Sequence, residues 1–153
     1  MSLTPQKITV FLWFDNNLAE EAALFYTSLF KNSRIIEKNP IVVKFSLDGQ
    51  EFCALNGGPK YKFTPAISLS ISCEDQSEVD HFWNALGAAG GGTDVQCGWV
   101  ADKYGLSWQI VPKIFPELLN DKDKEKADRA MQAMLKMVKL DIEQLKKAHA
   151  GED

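Results

Sequence analysis

The chain has 153 residues, 45% of them hydrophobic and 25% charged, and a net charge of -4. That length suits one compact domain or two small halves sharing a core, and the composition is that of a globular protein. The acidic balance argues against a broad surface for nucleic acid or for an anionic membrane, both of which are negative themselves.

Residues 1–7 contain no apolar stretch of the kind a signal peptide needs. Ile8 to Phe14 is a short apolar run rich in β-branched and aromatic residues and is predicted to be a strand. From Leu18 to Phe30 the periodicity turns helical, with Ala22, Phe25, Tyr26 and Leu29 on one stripe. Arg34 to Lys38, Ile41 to Leu47 and Gln50 to Asn56 read as three strands, the last two joined by the two-residue hairpin signal Asp48-Gly49. Ala66 to Ser72 is a further strand, and Glu74 to Leu86 a helix with its stripe at Val79, Phe82, Trp83 and Leu86. Short strands follow at Val95 to Gly98 and Val100 to Lys103, then Leu106 to Val111. Behind Pro112 come a short helix at Lys113 to Leu119 and a longer one at Asp121 to Lys139. A last helix begins at the N-cap Asp141 and runs through Ala148. The Met-bearing stripe of the longer helix (Met131, Met134) reads as packing. No apolar run approaches the roughly 20 residues that span a bilayer.

The order strand, helix, three strands occurs twice. Phe25-Tyr26 falls on Phe82-Trp83 at an offset of 57 residues, which also places Leu12 on Leu69, Phe14 on Ile71 and Leu29 on Leu86. The predicted fold is α+β: two tandem βαβββ modules, residues 8–58 and 65–112, forming a half-open barrel, with a helical tail at 113–150. Alternation along the first strands sends Val10, Leu12, Phe14 and Ile67, Leu69, Ile71 toward the helices. It sends Thr9, Phe11, Trp13 and Ala66, Ser68, Ser70 into a cup.

That cup is the candidate ligand site. Phe11, Trp13, Trp99 and Trp108 offer an aromatic wall, Asn56, Ser68 and Gln109 offer hydrogen bonds, and Cys53 and Cys97 offer thiols. No cationic neighbour is visible in sequence to activate either thiol, so inert cysteines are expected. Asp102 in Asp102-Lys103-Tyr104-Gly105 is expected to form a turn. The three cysteines show no CxxC spacing, which favours reduced thiols in the cytoplasm over a disulfide framework or zinc knuckle. Two histidines, His81 and His149, leave no material for a serine or cysteine triad. Gly90-Gly91-Gly92 follows a helix and precedes a strand, the reverse of a phosphate-cradling loop.

The stretches Ile8-Thr9-Val10-Phe11-Leu12-Trp13-Phe14-Asp15, Leu55-Asn56-Gly57-Gly58-Pro59 and Phe63-Thr64-Pro65-Ala66-Ile67-Ser68 resemble the PhnB-like branch of the glyoxalase (vicinal oxygen chelate) superfamily. So do Cys97-Gly98-Trp99, Gly105-Leu106-Ser107-Trp108-Gln109-Ile110-Val111-Pro112 and Met131-Gln132-Ala133-Met134-Leu135-Lys136-Met137. The resemblance covers nearly the whole chain, although Glu37-Lys38-Asn39-Pro40-Ile41 is tighter than the hairpin such proteins usually carry. It implies paired βαβββ units, usually in a homodimer, and carries the label 3-demethylubiquinone-9 3-methyltransferase-like. It also implies a divalent metal in the cup, held by two side chains per unit. Those positions fall near Thr9, Cys53, Ala66 and Gln109, which lack the imidazoles and carboxylates such an ion prefers. The expected protein is therefore a metal-free, cofactor-free small-molecule binder, with a superfamily lyase, isomerase or dioxygenase, or a methyltransferase, as alternatives.

Overall fold

A computed structural model describes residues 6–152, so most of the opening segment, residues 1–5, lies outside the described residues. The chain divides into two compact units at Phe63 and Thr64.

In the first unit, β1 (Val10–Phe14) leads through α1 (Ala19–Leu29) to β2 (Arg34–Lys38), β3 (Val42–Leu47) and β4 (Gln50–Asn56). The sheet order is β1-β4-β3-β2, with β1 parallel to β4 and the other pairs antiparallel. Asp48 and Gly49 take positive φ angles of 47° and 87°, the two-residue turn whose twist matches its flanking strands, and Leu47 pairs with Gln50 across it. A register shift between Ile35 and Glu37 brings Glu37 opposite Lys44. One face of the sheet is sealed by α1, where Tyr26 stacks on Phe45 and Phe45 on Phe52. Leu12, Phe14, Val43 and Ala54 complete that core.

The second unit repeats the plan. β5 (Ser68–Cys73) leads through α2 (Gln76–Leu86) and a 3-10 turn at Ala88–Gly90 to β6 (Thr93–Asp94), β7 (Trp99–Ala101) and β8 (Ser107–Pro112). Its order is β5-β8-β7-β6, with β5 parallel to β8. Both crossover helices have 11 residues and start at Ala19 and Gln76, so the sequence offset of 57 holds through the helices. Asp75 caps α2 by accepting from the Glu78 amide, and Val79, Phe82, Trp83 and Leu86 are all buried. The protein is α+β, made of two open four-stranded mixed sheets, each with a helix against one face.

The sequence reading errs at Val95 to Gly98, where it expected a strand. Cys97 and Gly98 have φ of 61° and 84°, which no strand tolerates, and the strand falls instead at Thr93–Asp94. Those two amides bind the carbonyls of Met137 and Val138, each at 2.8 Å. The same bonds explain why the helix expected to reach Lys139 stops at Leu135: its continuation is drawn out to meet the turn. The tail consists of α3 (Ile114–Leu119), α4 (Lys124–Leu135) and α5 (Ile142–Ala150), packed around Phe115, Leu140 and Leu145 with Met134 and Met137 against them. Gln76 joins this cluster to α2, donating to the Leu140 carbonyl and accepting from the Ile142 amide.

Candidate functional site

Each sheet has one face turned away from its helix, and the ladder registers say which side chains stand there. In the first unit Phe11, Cys53 and Lys44 form one cross-strand row, and Trp13, Leu55 and Val42 the next. Phe11 is 56% exposed, a large aromatic left to solvent. Trp13 is fixed more firmly. Its indole N–H donates to the Gly58 carbonyl at 2.8 Å, and Tyr61 meets it edge-on at 4.9 Å between ring centroids. Gly57 is required beneath it, because a Cβ there would lie 2.2 Å from the indole Cε2. Cys53 is buried, and burial pushes its thiol up while Lys44 pulls the other way. Lys44 pairs with Glu37 at 3.7 Å.

In the second unit the matching row is Ser70, Gln109 and Trp99. The Gln109 amide donates to the Ser68 hydroxyl at 2.9 Å, tying a second residue of β5 into the row.

Three of the expected site residues lie elsewhere. Trp108 alternates with Gln109, so it faces α2; it is buried, and its indole N–H donates to Asp102 Oδ2 at 2.8 Å. Asn56 shares the helix-facing side with Phe52 and Ala54. Its Oδ1 accepts from the Ala19 amide at 3.0 Å and its Nδ2 donates to the Pro40 carbonyl, so it closes the start of α1, where Leu18 offers no capping side chain. Cys97 sits in the turn before β7 with its sulfur 3.7 Å from the Leu135 carbonyl, toward the tail. Asp102 organises the β7–β8 hairpin, accepting from the Tyr104 and Leu106 amides as well as from Trp108. Tyr61, absent from the sequence-derived site, belongs beside Trp13; its place between Lys60 and Lys62 in an exposed loop gave no periodic signal.

The ladders also correct the internal alignment. Trp13 pairs with Leu55, and its repeat counterpart Ser70 pairs with Gln109, so Gln109 corresponds to Leu55. By the same argument Cys53 corresponds to Ser107. Both pairs stay on open faces, but the positions implied for a metal were out of step by two residues.

Neither open face offers a donor set that fits a divalent ion. On the first, burial raises the Cys53 thiol and Lys44 already pairs with Glu37; on the second, Gln109 brings an amide and Ser70 a hydroxyl, while Ala66, expected in the strand, lies in the turn before β5. Among the described residues no group of three or more His, Cys, Asp or Glu side chains is arranged to hold a metal. His81 lies exposed on α2 against Phe82, and His149 contacts Asp121 at 2.9 Å in the tail. Nor do the glycines form a phosphate cradle. A Cβ at Gly90 would lie 1.9 Å from the Ala85 carbonyl oxygen, and one at Gly92 would lie 2.2 Å from that of Ala101. These glycines serve close packing of the backbone. Among the described residues no helix is long and apolar enough to cross a membrane.

Comparison with known proteins agrees with this architecture. A family model described as 3-demethylubiquinone-9 3-methyltransferase matches residues 6–111. A solved structure from Bacillus cereus, described as a putative 3-demethylubiquinone-9 3-methyltransferase, PhnB protein, is 37% identical. The match covers 70% of this chain and 99% of that one, with a TM-score of 0.62. A Pseudomonas aeruginosa protein is 17% identical over 68% of this chain and 95% of its own, at a TM-score of 0.53. A fosfomycin resistance protein of Listeria monocytogenes, complexed with Mn(II) and sulfate, is 11% identical over 75% and 99%, at a TM-score of 0.51. No curated protein matches. A family model spanning most of the chain, a relative above one-third identity and the doubled βαβββ plan agree: the chain belongs to the 3-demethylubiquinone-9 3-methyltransferase (PhnB) family.

Proposed function

We propose that this protein binds a small organic molecule on its open, aromatic-bearing sheet faces and does so without a divalent metal. The observation that carries this reading is the chemistry of the second unit's open face, where Trp99 stands in one row with the Gln109 amide and the Ser70 hydroxyl; the first unit's open face adds the rings of Phe11 and Trp13. A superfamily lyase, isomerase or dioxygenase would need a Lewis acid, and neither the neutral thiol of the first face nor the amide and hydroxyls of the second make a good cage for one. Elemental analysis of protein purified without a histidine tag tests the proposal. Divalent metal well below one ion per chain is expected, and a stoichiometric ion removed by chelator would overturn it.

The family description favours a second reading, transfer of a methyl group. It requires a site for S-adenosylmethionine, and the glycine run that would be its first candidate is spent on packing. Calorimetric titration with S-adenosylmethionine should give no heat beyond dilution; saturable binding would restore the methyltransferase. The proposal also includes a homodimer in the cytoplasm. All three cysteines are free, which suits a reducing compartment. Sedimentation at micromolar concentration should show twice the chain mass.

A further inference from the structure

The open face of the second unit differs from that of the first in one physical respect: its strands place no charge there. Asp94, the one charged residue in these four strands, pairs with Val100 on the other side and accepts from the Ala88 amide at the end of α2. On the open side Trp99, Gln109 and Ser70 line up across three strands, with Ser68, Ser107 and Thr93 in the adjoining row. The first unit's open face instead carries Lys44, Glu37 and Glu51.

On the neutral face Ser70 and Thr93 are exposed, Ser68, Trp99 and Gln109 are half-buried, and Ser107 is buried. The Trp99 indole N–H and the Gln109 Oε1 have no partner among the described residues, whereas the other end of the Gln109 amide is held by Ser68. The turn that delivers Trp99 is pinned from both sides. Its amides bind the Met137 and Val138 carbonyls, and Gly98 O accepts from the Ile110 amide at 2.7 Å. Cys97 holds φ at 61° in that turn, the one described residue other than Gly, Asn or Asp with positive φ. Such strain is retained where a conformation is over-determined by its surroundings.

Resting on the reading that this face binds a small molecule, we propose that its ligand is a neutral, polyhydroxylated compound, a sugar or cyclic polyol. The ring lies against the Trp99 indole, and its hydroxyls bond to Gln109 and the serines of β5. A charged ligand would be stripped of water against strands that offer no counter-charge, which disfavours it. A purely apolar ligand would leave the amide and hydroxyls unpaired. A polyol satisfies both conditions, since each hydroxyl both donates and accepts. The pinned turn and the Ser68–Gln109 bond lower the ordering cost of binding.

The test is saturation-transfer NMR and tryptophan fluorescence titration of the full chain with glucose, galactose, maltose and myo-inositol. Glucose 6-phosphate, glucuronate and glucosamine serve as charged counterparts. At least one neutral compound should bind saturably. Gln109→Leu and Trp99→Ala should each weaken it by roughly tenfold, the loss of about one hydrogen bond or ring contact. The charged counterparts should bind more weakly. Should Trp99→Ala fail to fold, Gln109→Leu and Trp99→Phe carry the comparison. Absence of saturable binding by every neutral compound overturns the proposal, as does binding indifferent to these substitutions or stronger binding of the charged forms. A stoichiometric metal would overturn the metal-free reading alone; an organic ligand recovered from the protein with no polyol binding would overturn this proposal alone.

Discussion

The carboxylate of Asp102, a residue only 4% exposed, accepts from the Tyr104 and Leu106 amides and from the Trp108 indole. In Asp102→Asn the amide group can no longer accept on both ends, and one N–H faces either an indole donor or a backbone donor. Urea unfolding should show a loss of about 1–3 kcal/mol, the cost of a buried polar group left unpaired. Cysteine chemistry is set by environment in the same way. Burial, with Glu78 and Asp75 adding to it, pushes the Cys73 thiol up to about 12 from an ordinary 9.0. A group raised on folding stabilises the protein below its ordinary value and loses that contribution as pH climbs toward its folded one. Urea midpoints should therefore fall between about pH 9 and 12, and Cys73→Ala should remove part of that fall; equal slopes in both proteins would contradict it. In the native protein near neutral pH, thiol labelling should mark Cys97 first, since Cys53 and Cys73 are buried.

At the scale of elements, α1 depends on a residue far along the chain. Asn56 accepts from the Ala19 amide and ties down Pro40, so Asn56→Ala should cost about 1–2 kcal/mol, comparable to losing a helix cap. Asn56→Asp, which keeps the acceptor, should recover part of it in thermal unfolding. The crossover helices were legible in the sequence because their apolar stripes repeat at 57 residues, and Asp48-Gly49 fixed its hairpin by turn chemistry alone. Two features were less accessible. The segment Val95 to Gly98 carries a β-branched residue but bends under bonds to Met137 and Val138, partners about 40 residues away. The correspondence of Gln109 with Leu55 depends on the second unit being shorter between its first and last strands, which only the ladders reveal. The opposed directions of Trp108 and Gln109, by contrast, were implicit in their adjacency.

Over the whole molecule, the helical tail is attached by polar ties with a definite response to acid. Asp80 is held below the ordinary carboxylate value by Lys139 and Gln76, and Asp121 by the Asp123 amide and His149. A carboxylate lowered on folding contributes stability above its ordinary value of 3.8 and loses it as pH falls through the folded one. Proteolysis with an acid protease should therefore release tail fragments more readily at pH 3 than at pH 5; equal protection at both would count against these ties. The Asp48-Gly49 turn has a further consequence in time. It brings Leu47 and Gln50 together with almost no chain to close, an event of about 1–10 μs, whereas β1 must wait for α1 and two strands before Val10 can meet Phe52. Folding of the first unit should thus begin at this ribbon and end with the capture of β1. Replacing Gly49 by alanine should then slow refolding more than it speeds unfolding.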